Sequence, residues 1–176
     1  MAKVSRTAST ASAGNIDAEA MRFFNVNSQN DLKLIVKRST IKLQKGFTCF
    51  PDGDPLNDNV KAVKPIDNYF DVALHGTPKS VAFGSDVPNM SARLLASVIR
   101  HSDGYSGQNI RLLSCSTGKN MDEEYCFAEE LANALGVEVV APDDLLYIAA
   151  NGNMWVGDSG EGEFKHFKPN QRRRVK

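Results

Sequence analysis

Tyr69-Phe-Asp-Val-Ala-Leu-His-Gly76 is a mostly apolar run that stops at a histidine and a glycine. Ile110-Arg-Leu-Leu-Ser-Cys115 follows the same plan with a cysteine at its end. Short apolar runs that do not alternate with polar residues read as parallel strands buried on both faces. Between them, Leu95, Val98 and Ile99 share a helical face with Ser91 and Ala92 one turn earlier, so the spacing predicts a helix capped at Asn89 that runs out at Asp103-Gly104. After Cys115 a second helix is expected from Asn120 or Asp122, with Asp122, Glu123 and Glu124 at its positive end. Phe127, Leu131, Ala134 and Leu135 form its buried stripe, and Gly136 stops it. Val137 to Ala141 is a third strand. This alternation predicts an α/β fold of βαβ units, with a largely parallel sheet covered on both faces.

Outward from this centre the signals weaken. Leu145 to Ala149, Asn153 to Val156 and Glu163 to Phe167 are separated by Asn151-Gly152 and the loop from Gly157 to Gly162, which predicts a C-terminal β-hairpin or meander. Residues 1–30 read as a flexible, Ser/Thr/Ala-rich leader, and residues 15–30 define no element. Leu32 to Lys37 and Ile41 to Leu43 alternate apolar and basic residues, which suggests a hairpin or one bent strand with a solvated face. Pro51 to Asn59 combines Pro, Gly, Asp and Asn as turns do. The expected organisation is therefore an N-terminal extension of leader (1–30) and strands with a loop (31–60), a main domain (61–170) and a basic tail (171–176).

The chain has 176 residues, enough for one domain, and 21 basic against 21 acidic side chains give a formal net charge of zero. That balance disfavours a general polyanion or membrane-surface binder. No apolar run approaches the roughly 18 residues needed to span a bilayer. Three Cys are an odd number, which argues against a disulfide framework and for reduced thiols. They and the three His show no metal-ligand spacing, and no Gly-rich phosphate loop occurs, so neither a metal nor a cofactor is expected.

Ligands and reactive groups collect at the carboxyl ends of parallel strands. His75 and Cys115 stand at two such ends. A nucleophilic cysteine needs a base to raise its thiolate fraction, and a histidine on a neighbouring strand supplies one. The backbone N–H groups of Gly76 and Cys115 are candidates for an oxyanion hole, since Gly76 has no side chain to block approach. Cys49 and Cys126 read as packing residues, with Cys126 placed inside the second helix. His101 reads as a residue that favours a helix C-terminus, and His166 as one that alternates with aromatics in a strand.

Val72-Ala-Leu-His-Gly76, the helix beginning near Ser91-Ala92, and Ile110-Arg-Leu-Leu-Ser-Cys115 together resemble the His-Gly and Ser/Ala-Cys blocks of clan CD (caspase-like) cysteine peptidases. Within that group the chain is most similar to the self-processing cysteine-protease domains of large bacterial toxins, over residues 69 to 156. The resemblance implies a caspase-like three-layer sandwich over residues 61–170 and a Cys115/His75 dyad that cleaves a protein substrate. It also implies a substrate pocket built in part by residues 142 to 148, with Ser114, Asp143, Asp144 and Leu145 as its candidate contacts. Asp143 and Asp144 read equally as acids that would favour a basic residue there and as turn caps. A secreted or translocated bacterial effector, acting in a reducing cytosol without nucleic acid or a membrane span, is the expected context. Leu113 stands where many members carry an acid, and the basic cluster that binds inositol hexakisphosphate has no copy here, so that requirement is not carried over. Two other readings stay open: an inactive caspase-like binding or adaptor module, and a thiol acyltransferase or deamidase using the same dyad.

Overall fold

The computed structural model describes residues 16–170. Six strands form the central sheet in the order β1-β2-β3-β7-β8-β11. These are β1 (Ile41–Leu43), β2 (Gly46–Thr48), β3 (Tyr69–Ala73), β7 (Asn109–Leu113), β8 (Val139–Pro142) and β11 (Phe164–Phe167). β2, β3, β7 and β8 are parallel, and β1 and β11 flank them antiparallel. The expected largely parallel α/β sheet is thus present. Its central strands are buried on both sides because both faces are covered.

One face packs against four helices: α1 (residues 16–24), α2 (Gln29–Ser39), α4 (Ala92–Arg100) and α5 (Phe127–Leu135). Phe70, Val72, Leu74, Ile110 and Leu112 meet Leu95, Ile99, Phe127 and Leu131 there, each at most 1% exposed. The crossovers β3-α4-β7 and β7-α5-β8 advance in the same direction across the sheet, and crossovers of one hand then put both helices on one face. The other face is roofed by α3 (Leu56–Asn59), the 3-10 turn Val60–Ala62, and the antiparallel hairpin β9 (Leu146–Ile148) with β10 (Met154–Val156). Gly152, in the turn of that hairpin, lies so close to this layer that a Cβ there would stand 2.1 Å from the Ala62 carbonyl oxygen. The remaining strands, β4 (His75–Gly76), β5 (Val81–Phe83) and β6 (Val87–Met90), form a small antiparallel sheet between β3 and α4.

Several expectations are corrected. Leu32 to Lys37 is helical, not a strand: Ser28 accepts from Asp31 N–H at 3.1 Å as N-cap, Leu32 and Val36 lie one turn apart in the core, and Lys37 and Arg38 sit at the negative end. Leu34, the residue that made the run look continuous, is 47% exposed. Residues 16–30 are not a leader, because Ile16 and Ala20 are core residues and the buried Asp17 accepts from Ser97 Oγ at 2.9 Å and pairs with Arg100. The boundary at residue 61 falls inside the fold, since β2 is already an inner strand of the sheet. The parts of the leader before residue 16 and the basic tail from residue 171 lie outside the described residues. α4 is capped by Ser91 rather than Asn89 and ends at Arg100, where the buried His101 takes the C-cap position. α5 begins at Phe127, with Cys126 as N-cap and Glu129 completing a capping box, so Cys126 is not mid-helix. Gly136 ends it in the left-handed region, as expected. β11 does not extend the hairpin; it closes the central sheet against β8.

Candidate active site

β3 and β7 pair in register from Tyr69 opposite Asn109 to Ala73 opposite Leu113. Two residues further along each chain stand His75 and Cys115, so both groups leave the sheet at the same end. A buried ion pair holds this register. Arg111 Nε and one terminal nitrogen donate to the two Asp71 carboxylate oxygens at 2.7 and 2.8 Å, and the second interaction of that nitrogen is with the Lys64 carbonyl at 2.9 Å. Burial pushes the Asp71 carboxyl above its ordinary value, while the Arg111 bonds and charge pull it back.

Gly76 makes a close approach to the cysteine turn itself. A Cβ there would lie 2.7 Å from Thr117 Cγ2 and 3.0 Å from the Cys115 carbonyl oxygen. The His-Gly segment therefore packs directly on the turn that carries the thiol, and only glycine permits it. That turn is heavily braced. Ser116 has φ +59°, a left-handed conformation uncommon for serine and typical of sites that hold backbone strain. Its N–H donates to the Asp144 carbonyl at 3.0 Å, Ala128 N–H to Thr117 O at 2.9 Å, and Phe127 N–H to Pro78 O at 2.8 Å. The last bond joins α5 to the turn that follows Gly76.

The Cys115 side chain is partly buried, and Leu146 N–H donates to its sulfur at 3.3 Å. Among the described residues the Cys115 N–H donates to no acceptor and no hydrogen bond joins the thiol to the His75 ring. His75 is instead engaged by two other partners. Nε2 lies 2.9 Å from Asp54 Oδ2, and Phe50 meets the ring edge-on at 4.8 Å. Asp54 sits in the loop after β2, and a single buried side chain ties that loop down. Asn57 Oδ1 accepts from Thr48 Oγ1 at 2.9 Å and from Phe50 N–H at 3.1 Å, while its Nδ2 donates to the carbonyls of Phe50 and Pro51 at 3.1 and 3.3 Å.

Asp54 and Asn57 escaped the sequence reading, since in Pro51 to Asn59 they look like turn formers. The partial signal was an acid and an amide within a strand-end loop next to the histidine strand. The candidate substrate contacts divide. Asp144 and Leu145 flank the thiol through the Ser116 and Leu146 bonds, and Leu145 is 44% exposed. Asp143 is used elsewhere, accepting from Glu163 N–H at 2.9 Å with Lys165 at 3.8 Å. Ser114 is 2% exposed and bonded to Thr117 Oγ1 at 2.8 Å, so its hydroxyl braces the turn instead of facing a substrate.

Burial pushes the thiols of Cys49 and Cys126 up to about 12, which fits the packing role expected of both. His166 is exposed and pairs with Glu138 at 3.1 Å. No cluster of three or more metal-ligating side chains occurs among the described residues, and no helix there is long and apolar enough to cross a membrane.

No curated protein and no solved structure matches the chain. One family model does, over residues 46–156, from the start of β2 to the end of β10, more than half of the sequence and all of the site just described. The chain therefore belongs to the family described as Domain of unknown function (DUF8616).

Proposed function

We propose that the protein is a cysteine peptidase of caspase-like type, with Cys115 as nucleophile, His75 as general base and acid, and Asp54 as the carboxylate that orients the histidine. One observation carries this reading: a partly exposed cysteine and a histidine held by a carboxylate leave the same end of two strands paired in register, with Gly76 packed on the cysteine turn. The clan CD resemblance of the same blocks supports it.

The chemistry follows from the placement. Asp54 on Nε2 fixes the tautomer with the proton on that nitrogen, leaving Nδ1 to take the proton of Cys115. The thiolate adds to a peptide carbonyl, forming a carbon–sulfur bond, and the unengaged Cys115 N–H meets the oxyanion, with Gly76 N–H as second candidate donor. Collapse breaks the carbon–nitrogen bond, and the leaving amine takes its proton from His75. Water, giving a proton to His75, then hydrolyses the thioester, which releases the acid and restores the thiol. The three cysteines are free thiols, which is compatible with work in a reducing cytosol; the reading as a delivered bacterial effector rests on the resemblance.

The test is thiol labelling joined to peptide cleavage. Iodoacetamide should alkylate Cys115 well ahead of Cys49 and Cys126, His75→Ala should abolish that lead, and Cys115→Ala should end cleavage of a peptide library followed by mass spectrometry. A labelling rate indifferent to His75, or cleavage that survives Cys115→Ala, would sink the proposal; the first outcome favours the inactive binding module.

A further inference from the structure

We infer that the outer face of the β9–β10 hairpin is the specificity surface of this site and that it selects a peptide with a lysine or arginine at the residue acylating Cys115. The inference rests on the peptidase reading above and names its substrate class. It begins with strand geometry. Gly157 N–H donates to Leu145 O at 2.8 Å and Ala149 N–H to Asn153 O at 2.9 Å, so the odd-numbered residues of this segment bond across to β10. Leu146, one residue on, then turns its backbone groups away from β10, and they meet the nucleophile: N–H at 3.3 Å from Cys115 Sγ and carbonyl oxygen at 3.9 Å. The outer edge of β9, whose Ile148 carbonyl accepts from Asn59 Nδ2 at 3.0 Å, therefore lies against the reacting atom at Leu146.

Side chains alternate likewise. Leu146, Ile148 and Val156 point into the core, while Leu145, Tyr147 and Trp155 lie on the outer face. Tyr147 and Trp155 are cross-strand partners whose rings stack at 5.3 Å and 12°. Trp155 is 41% exposed and Leu145 44%. A flat aromatic shelf with an aliphatic end thus borders the nucleophile without a cover among the described residues.

Charge decides what lies on it. The Tyr147 hydroxyl donates to Asp158, and Asp144 accepts from Ser116 N–H of the Cys115 turn through its backbone carbonyl, while its carboxylate accepts from Leu145 N–H at 2.8 Å. The Asp158 bond holds the Tyr147 hydroxyl above its ordinary value, with burial and the charges of Asp158, Cys115 and Asp144 pushing the same way. Asp143 next door has Lys165, yet among the described residues neither Asp144 nor Asp158 has a Lys, Arg or His partner. A basic side chain satisfies both features, its alkyl stem lying over the rings and its cation meeting ring face and carboxylate. An acidic side chain is repelled, and an apolar one gains only the shelf.

The experiment uses peptidyl acyloxymethyl ketones that differ only in the last residue, Arg, Leu or Asp. Attack by the Cys115 thiolate forms a thioether and expels a carboxylate, which intact mass reads directly. The Arg ketone should label roughly ten times faster than the Leu ketone and faster still than the Asp ketone. Asp158→Asn and Trp155→Ala should each remove most of that preference while leaving the iodoacetamide rate at Cys115 and the melting temperature close to the parent. Equal rates for Arg and Leu, a preference that survives both substitutions, or no labelling by the Arg ketone overturns the inference. The iodoacetamide rate and its dependence on His75 then tell whether the peptidase reading falls with it.

Discussion

The two faces of the central sheet differ in how they are built. On the helix face Phe70, Val72, Leu74, Ile110 and Leu112 meet apolar helix stripes, and the contacts need only size and hydrophobicity. On the other face the same two strands carry Asp71 and Arg111 as an ion pair, and the strand ends beyond them carry His75 and Cys115. Its cover is a short helix, a 3-10 turn and a hairpin, with Asn57, Asp54 and Leu146 supplying directed hydrogen bonds. One face holds the fold together; the other sacrifices simple packing for orientation.

Substitutions on each face can break this contrast. The largest effect is expected from Phe127→Ala, since the ring is fully buried among the helices: a loss of about 3–5 kcal/mol in urea unfolding, with the Cys115 labelling rate of the folded protein unchanged. Arg111→Leu should cost about 3 kcal/mol by leaving Asp71 buried without a partner, and pairing it with Asp71→Leu should recover much of that loss. If the single and double variants are equally stable, the ion pair does not hold the site face. Asp54→Asn should slow His75-dependent labelling and cleavage roughly tenfold to a hundredfold and leave thermal unfolding nearly unmoved, which separates orientation from stability. At neutral pH the smallest effect belongs to the buried thiols, which act only in alkali. With Cys49 and Cys126 at about 12 in the fold against 9.0 when exposed, the folded state keeps protons that the unfolded state loses above pH 9. Stability should then fall between pH 9 and 12, by at most about 1.4 kcal/mol per pH unit for each thiol, and Cys49→Ala should flatten that slope in alkaline urea titrations.

The same contrast explains what could be read in advance. β3, β7, β8 and the helix stripe ending at Gly136 carry periodic apolar signals, because a face that packs against a uniform layer repeats its demand at every turn. α2 was legible in principle from Ser28, Leu32, Ile35 and Val36, but Leu34 and the intervening lysines also fit alternation. The β5–β6 hairpin, only three and four residues per strand, carries too few residues to show a period. Asp54 reaches His75 from 21 residues away, and nothing local to Asp54 marks that contact.

By itself the sequence determined the parallel α/β core, the two strand ends that carry His75 and Cys115, and the difference between that cysteine and the two that pack. Local periodicity and strand-end position suffice for these, since each depends on neighbours along the chain. Only the tertiary structure decided that all four long helices share one face, that Asp54 and Asn57 hold the histidine, and that Leu146 and the Tyr147/Trp155 shelf flank the thiol. Those contacts join segments far apart in sequence, and directed hydrogen bonds at one point leave no repeating mark on the chain that makes them.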